Sequence, residues 1–535
     1  MSSTEKGGRA VGVPGGAVST DQTITKNTTT NNPQETIIPM PGTELTLSNG
    51  ELENFRSLDE AFDGNQLDPK AKPLIRRVPS TLGRHEDFRK YFKPKVISIG
   101  PLHHADPSLH ESKKLKCKLT TLFVKNIGVD RGTLYNNIKT EIDDLKKCYD
   151  PKELDNYTND NENLAWMFFV DGCTILQAVY MRYGNDDVDG QDYEYVSNEL
   201  SIKNELLTFE YSDLFLFENQ LPFRVLELLT RSNDDKKFME ATAGFTNNTV
   251  KKPESHQQDS SRKNGEKFMM AIKRFIDDTV ITPAYVKELQ SHQQDSEWWQ
   301  QQKGERIHLL NLLRVRLIFE KEKKEKPWRH FRFCTRFFMC TLNRSSQTRT
   351  KPHHSHTFRN VKELKKAGIW LKASKTSCLS DISFNHIFFI GKLRLPPITF
   401  DDSTMNLIAY EMCPDFYNNN FAVTSYMGFL DSLIDEAEDV KELRDAGILY
   451  NRLGSDKEVA KLIKKMNMDL VPSLMIYRHV KLQIHDHHNN MWIRYPAQVY
   501  RTFFRTRWTF FAFVGAIAAL FIGALQAYYT IHQPK

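Results

Sequence analysis

No C-x-x-C pair occurs anywhere in this chain. Its seven cysteines, Cys117, Cys148, Cys173, Cys334, Cys340, Cys378 and Cys413, are odd in number and widely spread. That pattern excludes a disulfide scaffold and predicts reduced thiols in a cytosolic compartment. An excess of one charge is missing too, since 73 basic and 67 acidic residues are interspersed and leave only +6. With no broad basic face implied and no aromatic-plus-basic module, nucleic acid is not expected as a partner. No Gly-rich phosphate loop, G-x-S-x-G elbow or H-E-x-x-H pattern is present, so neither an enzyme nor a cofactor is predicted. The opening stretch, MSSTEKGGRAVGVPGGAVST, has no apolar core and does not read as a secretory signal.

A long hydrophobic run is absent until the C-terminal end. From Phe510 to Ala527 there is no charge, with Trp508 at one edge and Tyr528 and Tyr529 at the other. Some 18–21 helical residues at about 1.5 Å each cross a hydrocarbon layer of about 30 Å. Aromatic residues at both ends suit the two membrane–water interfaces. A transmembrane helix over 508–529 is therefore expected, inserted as a tail anchor, with membrane lipid as its partner. Arg501, Arg505 and Arg507 precede it and only His532 and Lys535 follow, which places the main domain in the cytosol, at a membrane expected to be the plasma membrane. Two alternatives stay open: a buried core helix, or an inverted anchor with the domain outside and sequons such as Asn156 and Asn247 in use. Gly515, Ala519, Gly523 and Ala527 recur every four residues, a spacing that lets a second helix approach closely and allows a homodimer or another packing partner.

The rest of the chain reads as one helical domain over 70–500, preceded by a Gly/Ser/Thr/Asn-rich disordered segment at 1–45. Leu164–Met181 reads as a buried helix, too short and too interrupted by Asp171 to span a bilayer. Asp213–Leu229 reads as another apolar helix, in which Pro222 separates two short helices or kinks one. Two polar insertions follow, at about 231–305 and 321–356. In the first, SHQQDS occurs at Ser255–Ser260 and again at Ser291–Ser296, a local duplication expected to form a mobile loop around one short helix, Phe268–Thr279. VKELKKAGI (Val361–Ile369) and VKELRDAGI (Val440–Ile448) are near copies that read as helix ends, each closed by a left-handed glycine before an isoleucine returns to the core. Phe389–Phe400 alternates and reads as a short strand or hairpin. The expected class is mainly α, an irregular helical globular domain with minor β.

Several polar clusters are candidate sites. His103 and His104, after Gly100 and Pro101, and His353, His354 and His356 are the metal candidates. Neither group has a carboxylate or cysteine at a helical spacing, so no metal is predicted. The His485–His488 cluster reads as a solvated loop near the membrane. Asp171-Gly172-Cys173 could supply a nucleophile, but a thiol in an apolar helix has a raised pKa, and a packed core role is favoured. Glu218-Asn219-Gln220 interrupts an apolar stretch before Pro222, and buried polar side chains there must find hydrogen bonds. Capping or bracing the break is favoured over a ligand site. The rival is a hydrolase or transferase around His103, His104 and this segment, which requires His103, Glu218 and Cys173 to converge on one open cleft.

Taken in order, these segments resemble one family, the plant proteins called DUF247 or UPF0481. The matching stretches are Ile75–Pro79, Tyr91–His104, Asp171–Leu176, Asp213–Leu226, His308–Leu313, Glu363–Ile369, Asn406–Glu411 and Asp439–Ile448, and the apolar tail also fits. The family motif positions are Pro79, Gly100, Pro101, His103, His104, Asp171, Gly172, Cys173, Glu218, Asn219, Gln220 and Pro222. Departures occur at His110, where the family usually has methionine, and at Gln177, where glutamate is common. The resemblance implies a plant protein with a membrane anchor, in a family with no established catalytic residues, and by analogy suggests recognition or signalling through a protein partner. Some grass members are implicated in self-incompatibility.

Overall fold

The structure is a computed structural model that describes residues 48–63, 72–184, 209, 213–231, 256–280, 297–302, 304–319, 360–387, 390–416, 419–468, 470–473, 475–489 and 507–531. The chain divides into two units, residues 1–67 and 68–535. In the first, helix α1 (Asn49–Asp63) is closed by a reciprocal cap. The Ser48 hydroxyl accepts from the Glu51 amide at 3.3 Å, and the Glu51 carboxylate accepts from the Ser48 amide at 2.7 Å. Leu52, Phe55 and Leu58 lie exposed at helical spacing on α1. The segment 1–45 expected to be disordered lies outside the described residues.

The second unit is built around one apolar helix. Helices α2 (Ser112–Ile127) and α3 (Arg131–Thr140) pack against α4 (Asn161–Tyr183), as do α5 (Phe223–Thr230) and α6 (His256–Val280). Asp160 starts α4 by accepting from the Asn163 amide, and fourteen α4 residues are then buried. A helix apolar on most sides can be a membrane span or the centre of a core. With 23 residues, α4 is longer than the sequence suggested and long enough to span, so length does not decide the matter. Its apolar window is 78% buried inside the protein, and that does.

Helix α7 (Leu309–Ile318) packs against both α6 and α9 (Asp402–Glu411), linking this bundle to the C-terminal half. There, α8 (Val361–Lys366), α10 (Ala422–Asp431), α11 (Ala437–Asp445), α12 (Asp456–Asn467) and α13 (Arg478–Asn489) surround two small sheets. Strands β1 (Ile369–Ala373), β2 (Ser383–Ile387) and β3 (Ile390–Leu395) form one sheet in the order β1-β3-β2, and β4 (Ile398–Phe400) pairs in parallel with β5 (Leu449–Asn451). The strand expected within Phe389–Phe400 is thus two strands in different sheets, parted at Pro396 and Pro397, because proline cannot donate to a ladder. A single apolar cluster runs from Ile75 to Ile484. The fold is mainly α with minor β.

The two near-copies build the same local unit. Val361, Leu364, Val440 and Leu443 are fully buried, Gly368 and Gly447 have φ of +75° and +70°, and Ile369 and Ile448 return to the core. Each then runs directly into a strand, and the pair is stitched by ion pairs of Lys362 with Glu436 and Lys365 with Glu442.

Four readings need correction. The first insertion is not a loop around a short helix: α6 is 25 residues long, and its Phe268, Ala271, Ile272, Phe275 and Ile276 are core residues packed mainly on α4. The polar surroundings masked this i, i+3, i+4 stripe. Trp298 and Trp299, near the end of the insertion, are buried as well. The second copy of SHQQDS and the segment 321–356 lie outside the described residues. Asp213–Leu229 is not one helix, since 213–222 is a series of turns and α5 begins at Phe223. The His485–His488 cluster is no solvated loop; it ends α13, with His487 packed edge-on against Phe384 at 5.4 Å. Finally, α4 is set apart from a membrane span by burial rather than by length. The last helix, α14 (Arg507–Ile531), contains the apolar span Phe511–Thr530, none of which is buried.

Candidate functional site

The motif residues meet at the junction of three chain segments. The turn at Gly100 has φ of +72°, and a Cβ added there would lie 2.8 Å from the Gln220 carbonyl oxygen. Only glycine fits both demands. The Gly100 amide donates to Asp171 of α4 at 2.9 Å. The other oxygen of Asp171 holds the ammonium of Lys116, and both side chains are buried. One residue on, a Cβ on Gly172 would meet Leu229 Cδ1 at 2.6 Å and Val225 Cγ1 at 2.9 Å, so glycine sets how closely α4 and α5 approach.

The 213–222 turns use their polar side chains as substitutes for secondary structure. Asp213 accepts from the amides of Lys95, Val96 and Ile97 at 3.0, 2.7 and 2.9 Å. Asn219 accepts from the Ile99 amide at 2.6 Å and donates to the Ile97 and Asp213 carbonyls. The Gln220 amide group donates to the Leu214 and Leu216 carbonyls and accepts from the Leu310 amide at 3.1 Å, while the Gln220 carbonyl accepts from Tyr149 Oη at 3.0 Å. Buried backbone outside helices and strands must be paired by such means. Pro222 closes the turns, its carbonyl accepting from the Val225 amide as α5 starts. Pro79 does the same for a short helix at Ser80–Gly83, and the Pro101 carbonyl accepts from the His104 amide at 3.4 Å.

Glu218 sits at the rim. Its carboxylate accepts from the Val78 amide at 2.9 Å and pairs with His103 Nε2 at 3.0 Å, with Arg77 3.6 Å away. Burial alone would raise this carboxyl, but the bonds from His103 and Val78 and the nearby charges hold it below the usual carboxylate range. His104 Nδ1 is buried without a hydrogen-bond partner, and burial lowers the imidazole below its ordinary value. Cys173 is fully buried, and burial pushes its thiol well up. His103 and Glu218 therefore meet, whereas Cys173 stands in the core of α4 and lines no open surface. Among the described residues, no group of three His, Cys, Asp or Glu side chains could hold a metal ion. His353, His354 and His356 lie outside them.

A second buried network was not foreseen. Arg314 of α7 bonds Glu411 of α9 at 2.8 Å and Asn419 and Asn420 at 2.8 and 2.6 Å. Glu411 also accepts from the Val423 and Thr424 amides, at 3.2 and 2.8 Å, at the start of α10. Asn406 accepts from the Phe217 amide and donates to the Tyr91 carbonyl, both at 2.8 Å. His308 is fully buried and caps α7 through Nδ1, 3.1 Å from the Asn311 amide; desolvation lowers its pKa to about 3. Asn406 and Glu411 stood within matched stretches, but spacing along the chain carries no sign of a partner about a hundred or more residues away.

The residues of α14 form a separate feature. Adding a Cβ at Gly515 or Gly523 meets no atom within 4 Å, so the face that also carries Ala519 and Ala527 is open.

What these features define is a mainly α protein whose buried polar junctions act as clamps on the backbone, followed by an exposed apolar helix. The DUF247 family model, described as a plant protein of unknown function, matches residues 75–522, and the chain belongs to that family. It is 25% identical over 459 residues to UPF0481 protein At3g47200 of Arabidopsis thaliana, covering 82% of this chain and 82% of that protein. It is 21% identical over 513 residues to a second UPF0481 protein of the same plant, At3g02645, covering 88% of this chain and 93% of that protein. No solved structure matches.

Proposed function

We propose that this is a single-pass, tail-anchored membrane protein whose large domain faces the cytosol and acts as a non-enzymatic recognition or signalling module for another protein. One observation carries the reading: every residue of the Phe511–Thr530 span is exposed, in a domain that otherwise buries its apolar helices. Water penalises an uncovered apolar cylinder of that length, and a bilayer does not. The non-enzymatic half is supported by the state of the motif residues. Asp213, Asn219 and Gln220 spend their polar atoms on main-chain groups, and Asp171 divides its own between the Gly100 amide and Lys116, which leaves them fixing the fold rather than meeting a substrate. A role in self-incompatibility, of the kind the family resemblance implies, is one form such recognition could take.

The test is alkaline extraction and protease protection of the full chain, tagged at both ends, in plant microsomes. The chain should stay with the membrane pellet, and protease added outside intact vesicles should digest the main domain while sparing the C-terminal tag. Release into the supernatant overturns the anchor. A protected, glycosidase-sensitive domain, with sugar at the exposed Asn156, overturns the orientation.

A further inference from the structure

The three-stranded sheet has two unlike faces. Inward, Ile369, Leu393 and Phe384 are buried in the core. Outward, the register sets Trp370, Lys392 and Asn385 side by side in one row, and Lys372, Arg394 and Ser383 side by side in the next. Strands lie about 4.8 Å apart and like-facing residues about 6.8 Å apart along a strand, so three cations and an indole share one small patch. Trp370 is 51% exposed, Lys372 and Lys392 are exposed, and Arg394 is half-buried. Among the described residues, none of the three cations forms an ion pair.

This arrangement opposes the stability of the sheet. Lys372 stands directly opposite Arg394, and like charges across a strand pair are destabilising. A lysine on an edge strand can be explained as a guard against edge-to-edge pairing. That accounts for Lys372 on β1 but not for Lys392 and Arg394, because β3 is the central strand. A face that gathers repelling charges around an exposed tryptophan is suited to an anionic surface.

We propose that this sheet face docks on the membrane leaflet that bears anionic headgroups, giving the domain a second, electrostatic contact with the bilayer. The proposal rests on the anchored reading above. The bilayer is favoured over an acidic protein because the same chain carries α14, and because the tether leaves from this part of the fold. Helix α13, which packs against β2, ends at Asn489, and α14 begins at Arg507. The seventeen residues between them span at most about 60 Å, which keeps the sheet within reach of the leaflet. Tryptophan suits the interface, and each lysine or arginine near an anionic surface contributes about 1 kcal/mol, or roughly fivefold.

The full chain, reconstituted in nanodiscs of phosphatidylcholine with about one-third phosphatidylserine, tests this when a photoactivatable headgroup lipid is included and adducts are mapped by mass spectrometry. Adducts are expected on the peptides carrying 369–375 and 390–395 as well as on the α14 peptide. The variant K372Q/K392Q/R394Q should lose the sheet adducts roughly a hundredfold and keep the α14 adducts. Salt near 1 M, where screening acts within about 3 Å, should have the same effect as the variant. Because the variant removes repulsion, its thermal unfolding in detergent should be no lower than that of the parent, which separates lost docking from lost folding. Sheet adducts that persist in the variant or in pure phosphatidylcholine, or cross-links from the sheet to another protein copy, overturn the docking surface. An α14 peptide free of adducts overturns the anchor itself.

Discussion

Breaking the Lys116–Asp171 pair is the sharpest probe of the motif junction. Both side chains are buried, at 5% and 1% exposure, and Asp171 also takes the Gly100 amide. Lys116→Met leaves a carboxylate facing the core with one main-chain donor. Asp171→Asn leaves a buried ammonium with no counter-charge. Removing one partner of a buried pair costs about 3–5 kcal/mol, because the remaining charge is uncompensated. Removing both charges together is a different change. In K116M/D171N the amide oxygen still accepts from Gly100 and the methionine fills the space of the lysine stem, so the cost should fall to about 1 kcal/mol. The two single changes together would then overstate the double variant by several kcal/mol. Urea unfolding of the detergent-solubilised chain, followed by the emission of the buried Trp298 and Trp299, measures all four proteins. Strict additivity would refute the claim that the pair is buried and exclusive.

Gly100→Ala should cost about 2–5 kcal/mol, from the left-handed backbone and the close approach to Gln220. Gly128→Ala, at the same φ of +72° with no atom within 4 Å, should cost only about 1 kcal/mol, and equal losses in unfolding midpoints would show that the Gln220 contact is absent. Acid should weaken the fold through His308, whose pKa falls to about 3 by burial, against about 6.5 unfolded. Between those values the unfolded chain binds a proton that the folded one does not, so stability falls as pH drops from 6.5, by about 1.4 kcal/mol per unit. His487, lowered to about 4 mainly by burial, acts in the same direction. His308→Asn keeps a capping side chain and should flatten the pH slope by that one proton; an unchanged slope would place the acid sensitivity elsewhere.

Some of this protein was legible from local pattern. The left-handed closures at Gly368 and Gly447 follow from a helix that must stop before a buried isoleucine, and both pattern and consequence fit within nine residues. The same holds for the uncharged run at Phe511–Thr530, whose chemistry needs no partner to be recognised. Helix α6 was hidden because its apolar stripe is diluted by a polar stretch, and only docking on α4 shows which residues are core. The turns before Pro222 looked like helix because apolar composition does not reveal that Asn219 and Gln220 bind main chain instead.

The amino-acid order by itself determined the class, the caps and the apolar tail, since those depend on interactions within a few residues or with solvent. Tertiary structure decided which polar groups pair across long separations, as Asp171 with Gly100 and Lys116 and Arg314 with Glu411. It also decided where charge gathers: a nearly balanced sequence implied no basic face, yet strand register brings Lys372, Lys392 and Arg394 together. Chain spacing fixes neighbours in one dimension, and burial and charge density are properties of three.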